Sequence, residues 1–465
     1  MSNQSSSAAS GGWLSRQRTV AGPGFNRWIV PPAALCVHLC IGQVYAFSVF
    51  NKPLSLLIGG TEQAPADWSI ASIGWIFSIA ILFLGLAAAF GGAWVERVGP
   101  RKTMVTAAAL FGGGFVISAF GVWSHQLWLI FLGYGVLGGC GIGLGYISPV
   151  KTLMSWFPDR PGMATGMAIM GFGGGAFIAS PLSVFLMGQF GVGGAFLALG
   201  IIYIVYMLVG ATIVRVPAKD WKPAGWTPPK KTNRMVTNAN VHVDEALKTP
   251  QFWLLWGVLL LNVTAGIGVL GQASLMIQEM FPPITDASGL VTGGITAAAA
   301  AGFVGLLSLF NMAGRFFWAS TSDFIGRKTT YAIFFALGVV LYALVPTTGN
   351  MGSIALFILA YAVIISMYGG GFATIPAYLR DVFGTQYVGA IHGRLLTAWS
   401  VAGVLGPVLV NYIREFQISS GVAPADAYTV TMYIMAGLLA VGFVLNLMMS
   451  PVSEKHHMQA EPATA

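Results

Sequence analysis

Charge is what this sequence has least of. Only 8% of its 465 residues are Asp, Glu, Lys or Arg, 56% are hydrophobic, and the mean hydropathy is +0.75. A soluble domain carries about 25% charged residues, so a soluble globular fold is excluded and a chain of membrane spans is expected. At ~20 residues per span, the length allows about a dozen. Cysteine is nearly as sparse. Cys36, Cys40 and Cys140 all fall in apolar stretches and form no disulfide framework. Cys36 and Cys40 share a helix face and read as small packing residues rather than a metal pair. No HExxH, GxSxG or CxxC occurs, so neither a metal centre nor an acyl-transfer nucleophile is visible. The glycine runs at 133–146 and 162–176 follow no strand and precede no GK[ST]. Close helix packing through small residues explains them better than a phosphate loop. The expectation is a non-enzymatic protein with no cofactor and no metal. The start, MSNQSSSAASGGWLSRQRTV, lacks the apolar core of a secretory signal. Residues 1–28 are expected to be a disordered cytoplasmic tail.

What is present is a series of long apolar runs. They fall at 29–50, 71–93, 103–123, 127–151, 163–187 and 193–214, then at 252–280, 294–320, 330–348, 352–378, 389–413 and 427–450. The organisation expected is therefore all-α, with six spans in 29–214, a polar cytoplasmic linker at 215–251, six spans in 252–450 and a cytoplasmic tail at 451–465. Of 23 Lys and Arg residues, Lys52 and Arg414 fall on one side, Arg315 lies within a span, and the other 20 lie on the opposite side. The positive-inside rule makes that side cytoplasmic, with both termini on it. The net charge of +8 is then an orientation signal, and no nucleic-acid partner is implied. The basic linker reads as a solvated segment, with contact to anionic lipid as the alternative.

The chain repeats itself. GAWVERVGPR (92–101) matches ASTSDFIGRK (319–328) at an offset of 227 residues, and the same offset relates Pro149 to Pro376 and Gly166 to Gly393. Equal offsets at separate sites argue for two six-helix halves of common plan. A substrate site between such parallel halves is the expected consequence. The stretch Gly92, Glu96, Arg97, Gly99, Pro100, Arg101, Lys102 resembles the loop motif between helices 2 and 3 of the major facilitator superfamily. Ala319, Asp323, Gly326, Arg327 and Lys328 resemble its second copy, between helices 8 and 9. A carboxylate at a helix end is expected to pair with a nearby Arg, and the glycine to allow a tight turn. The sequence departs from the pattern with Glu96 for Asp, Pro100 for a basic residue and Ala319 for Gly.

Within that superfamily the sequence is most similar to the oxalate/formate antiporter family and its monocarboxylate-transporter relatives. The resemblance rests on GQVYAFSVF (42–50), GLGYISPVKTLMSWFPDRPGMATG (143–166), NMAGR (311–315) and HGRLLTAWSVAG (392–403). It implies that Asn311 and Arg315 form a helix 8 pair that handles the substrate. It also implies that helix 11, where oxalate exchangers place a Lys, here carries Trp399.

Arg315 is the residue on which function turns. It lies eight residues before Asp323, about 12 Å into a core ~30 Å thick. A cation there costs at least several kcal/mol unless it is paired or solvated, and no carboxylate lies in the interior of any predicted span, Glu279 standing at the very end of 252–280. The residue is expected to clamp an anion that comes and goes, through two parallel hydrogen bonds. The bland alternative is a snorkelling Arg near a helix end. Asn311, one turn away, is placed to orient the guanidinium or to donate to substrate. Gln43, Tyr45, Tyr146, Tyr368 and Trp399 are further substrate-site candidates, with ordinary core packing as the alternative for each. Tyr146 and Tyr368 lie just before Pro149 and Pro376, whose breaks would free backbone groups. His38 is the proton-coupling candidate, since every carboxylate falls in a loop, a tail or a helix end; His392 lies nearer the cytoplasm. The combined expectation is a monomeric secondary transporter in a bacterial inner membrane. Its substrate would be a small carboxylate such as lactate, pyruvate, formate or glyoxylate, moved with a proton or against a counter-anion. Oxalate/formate exchange and a non-transporting sensor are the alternatives.

Overall fold

The computed structural model describes residues 12–458 apart from 61, 63, 220, 228–234, 238, 271–272, 283, 286–290, 293 and 296. The ends of both tails and the middle of the linker therefore lie outside the described residues. Helix dominates; among the described residues the one sheet is Ile284–Thr285 paired antiparallel with Val291–Thr292. Among the described residues ten helices are long and apolar enough to cross a membrane. One of them, Pro161–Ile213, is 53 residues long and is two helices joined at Gly191, where φ is 68°. The 29-residue helix Ala297–Ile325, which carries Arg315, lies outside those ten. Each of the twelve expected spans is overlapped by helix.

The helices start and stop where local chemistry dictates. Pro100 and Pro161 sit in first turns, where a missing N–H costs nothing. Ser69 accepts a hydrogen bond from the Ser72 amide as an N-cap. Gly99 and Gly326, 227 residues apart, turn the chain with φ of 83° and 87°, a conformation that a side chain disfavours. Pro149 and Pro376 do not break their helices, which run through as Gly139–Trp156 and Ile354–Phe383.

The chain divides into two compact units. One comprises 1–232 with 386–394, the other 233–385 with 395–465. In the first unit Val30–Ile41 and Pro100–Trp123 both pack along Pro161–Ile213, and Ile70–Val98 packs along Gly139–Trp156. The second unit repeats the scheme. Pro250–Leu270 pairs with Thr397–Ser419, Arg327–Asn350 with Thr429–Leu447, and Ala297–Ile325 with Ile354–Phe383. The sequence repeat is thus a repeat of packing partners.

Three expectations need correction. Residues 12–28 are not a disordered tail. They form short 3-10 turns, and the Ala21 amide and the Thr19 carbonyl both bond to Val216. Residues 386–394 group with the first unit, because Gly92 and Gly393 let backbones meet closely at Ala390 and Ala88. Arg414 lies inside helix Thr397–Ser419 rather than in a loop, paired with Glu279.

Candidate functional site

In the second unit the site is built where two helices touch backbone to backbone. Gly314 of Ala297–Ile325 faces Ser366, and Gly369 of Ile354–Phe383 faces Asn311. A Cβ at Gly369 would lie 2.4 Å from the Asn311 carbonyl oxygen and 2.6 Å from its Oδ1, so only glycine fits. This contact sets Asn311 and Arg315, one turn apart, deep in the unit. Their exposures are 1% and 0%. Arg315 Nε donates to Asn311 Oδ1 at 2.9 Å, which fixes the plane of the guanidinium. The guanidinium carbon lies 5.4 Å from the centre of the Phe372 ring, a cation–π distance. Phe372 packs in turn on Trp399 at 4.5 Å and on Tyr368 at 5.3 Å. The structure thus gathers Arg315, Asn311, Tyr368 and Trp399 around Phe372. The sequence reading had not marked Phe372, although its place one turn after Tyr368 puts both rings on one helix face.

In the first unit a second group forms around Tyr146. His38 Nε2 donates to the Tyr146 carbonyl at 3.2 Å, which places the proton on that nitrogen, and the two rings stack at 5.4 Å. Tyr146 also meets Phe172 at 5.5 Å and His392 at 5.9 Å. Tyr45 packs edge-on against Phe172 at 5.1 Å. Gln43 is bonded to a different partner. The chain tightens to a 3-10 helix over Gly42–Phe50, and Gln43 accepts from the Tyr134 hydroxyl at 2.9 Å, beside Phe47 and Phe115.

The two loop motifs differ in their ion pairs. Asp323 pairs with Arg327 of its own motif, and Arg327 also reaches Asp381 at 3.3 Å and Ser322. Lys328 donates to the carbonyls of Leu447 and Met449. Glu96 does not take the Arg partner expected of it. Arg97 is exposed, and Arg101 is buried against the Ala211 and Trp13 carbonyls. The Glu96 carboxylate pairs instead with Lys151 at 2.8 Å and accepts from the Ala390 amide at 3.3 Å.

A buried, oriented guanidinium against one aromatic ring can hold a carboxylate, and an aromatic group that continues through Trp399 and Tyr368 can shelter a short carbon chain. The sequence profile of the Major Facilitator Superfamily matches residues 25–407 and again 294–465. The oxalate:formate antiporter of Oxalobacter formigenes is 28% identical over 382 residues, covering 82% of this chain and 83% of that one. Monocarboxylate transporter 11 of Homo sapiens is 25% identical over 403 residues, covering 85% and 79%. The solved proton:xylose symporter bound to 6-bromo-6-deoxy-D-glucose superposes with a TM-score of 0.63 at 16% identity, over 91% and 96% of the two chains. That last likeness speaks to fold alone.

Proposed function

The chain belongs to the Major Facilitator Superfamily, and from that membership we propose that it is a secondary active transporter of a small monocarboxylate. Lactate, pyruvate, formate and glyoxylate define the substrate class. The observation that carries this reading is the pair Asn311–Arg315, fully buried and hydrogen-bonded to each other, with the guanidinium over the Phe372 ring. A guanidinium so oriented presents a fork that matches one carboxylate. Trp399 and Tyr368 supply apolar wall for a short carbon chain. The protein works in the plasma membrane with both termini cytoplasmic, and a proton or a counter-anion accompanies the substrate. His38, stacked on Tyr146, is the candidate for the proton.

A second reading is oxalate/formate-type exchange, favoured by the 28% identity to an antiporter of that kind. Charge counting argues against it. A dianion in low dielectric needs two cations, and burying the second charge uncompensated costs several kcal/mol. Uptake of radiolabelled C1–C4 carboxylates into proteoliposomes, with and without a proton gradient, tests the proposal. Saturable uptake of at least one monocarboxylate is expected. Saturable binding with no flux of any of them would make the chain a sensor and overturn the proposal.

A further inference from the structure

A second charged feature lies in the first unit, and the Arg315 group does not use it. Residues 12–29 wrap across the ends of helices Pro100–Trp123 and Pro161–Ile213. The parallel bridge of Val20 with Val216 sets Arg18 and Arg215 on adjoining strands of chain. Arg101 comes up from below, 2% exposed, with its guanidinium carbon 5.2 Å from the centre of the Trp13 ring. The charges of Arg18 and Arg215 are close enough to act on it. Three like charges repel one another, yet among the described residues none of them has a carboxylate partner. Arg101 donates to the carbonyls of Ala211 and Trp13, and Arg215 donates to those of Thr212, Ile213 and Val214. The nearby Asp159 is held by Arg27, and Glu96 by Lys151. Carbonyl dipoles orient guanidiniums without neutralising them, so the cluster keeps a net positive charge.

Beside the cluster is a cavity of about 330 Å³ walled by Phe25, Trp156 and Trp221. Trp156 Nε1 donates to the Arg215 carbonyl at 2.7 Å, so the aromatic wall is fastened to the backbone that carries Arg215. The same stretch of chain exposes Trp13, Val20, Trp28 and Ile29, each at 44% or more. Exposed tryptophans interleaved with arginines are what a segment lying at a membrane–water interface carries.

We propose that this is a binding site for an anionic phospholipid. The phosphodiester sits on Arg18 and Arg215, whose positive charge the buried Arg101 reinforces, and the glycerol end of an acyl chain enters the Phe25–Trp156–Trp221 cavity. Arginine suits the role because its fork matches phosphate oxygens. The lipid is favoured over a free anion because the cavity is apolar and the exposed residues around it are those of an interfacial segment. The site is independent of the substrate carried, since none of its residues belongs to the Arg315 group.

The test uses the full chain in nanodiscs of phosphatidylcholine, titrated with phosphatidylglycerol and read by native mass spectrometry of retained lipid. Wild type should retain phosphatidylglycerol in preference to phosphatidylcholine. Each basic side chain near an anionic surface contributes about fivefold in affinity. Arg18→Gln/Arg215→Gln should therefore weaken retention about thirtyfold. Arg18 is exposed, so Arg18→Gln alone keeps the fold and should give about fivefold. The control Lys248→Gln/Lys455→Gln, exposed and in the second unit, should leave retention unchanged. Equal loss in the arginine and lysine variants would reduce the effect to diffuse surface charge and overturn the proposal. So would equal retention of phosphatidylcholine, or full displacement of the lipid by inorganic phosphate at the same concentration.

Discussion

At the scale of single residues, the proposed function rests on Arg315, and what holds it matters as much as the group itself. A hydrogen bond to a charged group is worth about 1.5–3 kcal/mol. Losing two of them should lower carboxylate uptake by at least about a hundredfold. Arg315→Ala is therefore expected to reduce uptake to background while the protein still folds, and Arg315→Lys should recover little, because an ammonium cannot make the bidentate contact. Gly369 is the less obvious partner. A methyl there would press on both the carbonyl and the side chain of Asn311. Overpacking of this kind costs about 1–3 kcal/mol, so Gly369→Ala should raise KM for the substrate by roughly tenfold. An unchanged KM would show that Asn311 does not position the guanidinium. Arg315 and Asn311 were legible in the sequence, as a basic residue within an apolar run and a polar one four positions before it. Phe372 and Gly369 were not, because one apolar aromatic among many carries no chemical signal and a close approach exists only between packed helices.

At the scale of elements, the two loop motifs share a turn and diverge in their partners. Gly99 and Gly326 take the same left-handed conformation, which the offset of 227 residues had announced. The ion pairs could not be read the same way. Lys151 lies 55 positions from Glu96 in sequence and reaches it only because Ile70–Val98 packs along Gly139–Trp156. Removing one partner of such a half-buried pair strands the other charge. Glu96→Gln should lower the melting temperature, and adding Lys151→Met should restore most of the loss; no recovery in the double variant would mean that Glu96 matters through the Ala390 amide instead. In the second motif Arg327 is shared between Asp323 and Asp381. Asp323→Asn weakens one arm of that link and leaves the Arg315 group untouched, so kcat for transport should fall several-fold with KM nearly unchanged. Loss of binding with normal turnover would place Asp323 in the substrate site.

At the scale of the whole molecule, the apolar composition and the repeat made the class and the fold legible, and the Major Facilitator match agrees. The tail at 12–28 was misread because polar composition is shared by disordered segments and by segments that pack across helix ends, as this one does against Val216 and Arg101. Substrate charge is where the molecule is most open to test. The sequence places one cation, Arg315, in the interior of its spans, with Trp399 in the same aromatic group. One guanidinium balances one carboxylate. Introducing a second cation with Trp399→Lys should move preference toward dianions, provided the pocket keeps its shape. The most direct measurement is counterflow of a labelled monocarboxylate in proteoliposomes, competed by unlabelled lactate, formate, oxalate and malonate. Lactate and formate are expected to compete at least about tenfold better than either dianion, the factor set by about 1.4 kcal/mol. Oxalate competing as well as formate or lactate would contradict a single-cation site and put the exchanger reading first.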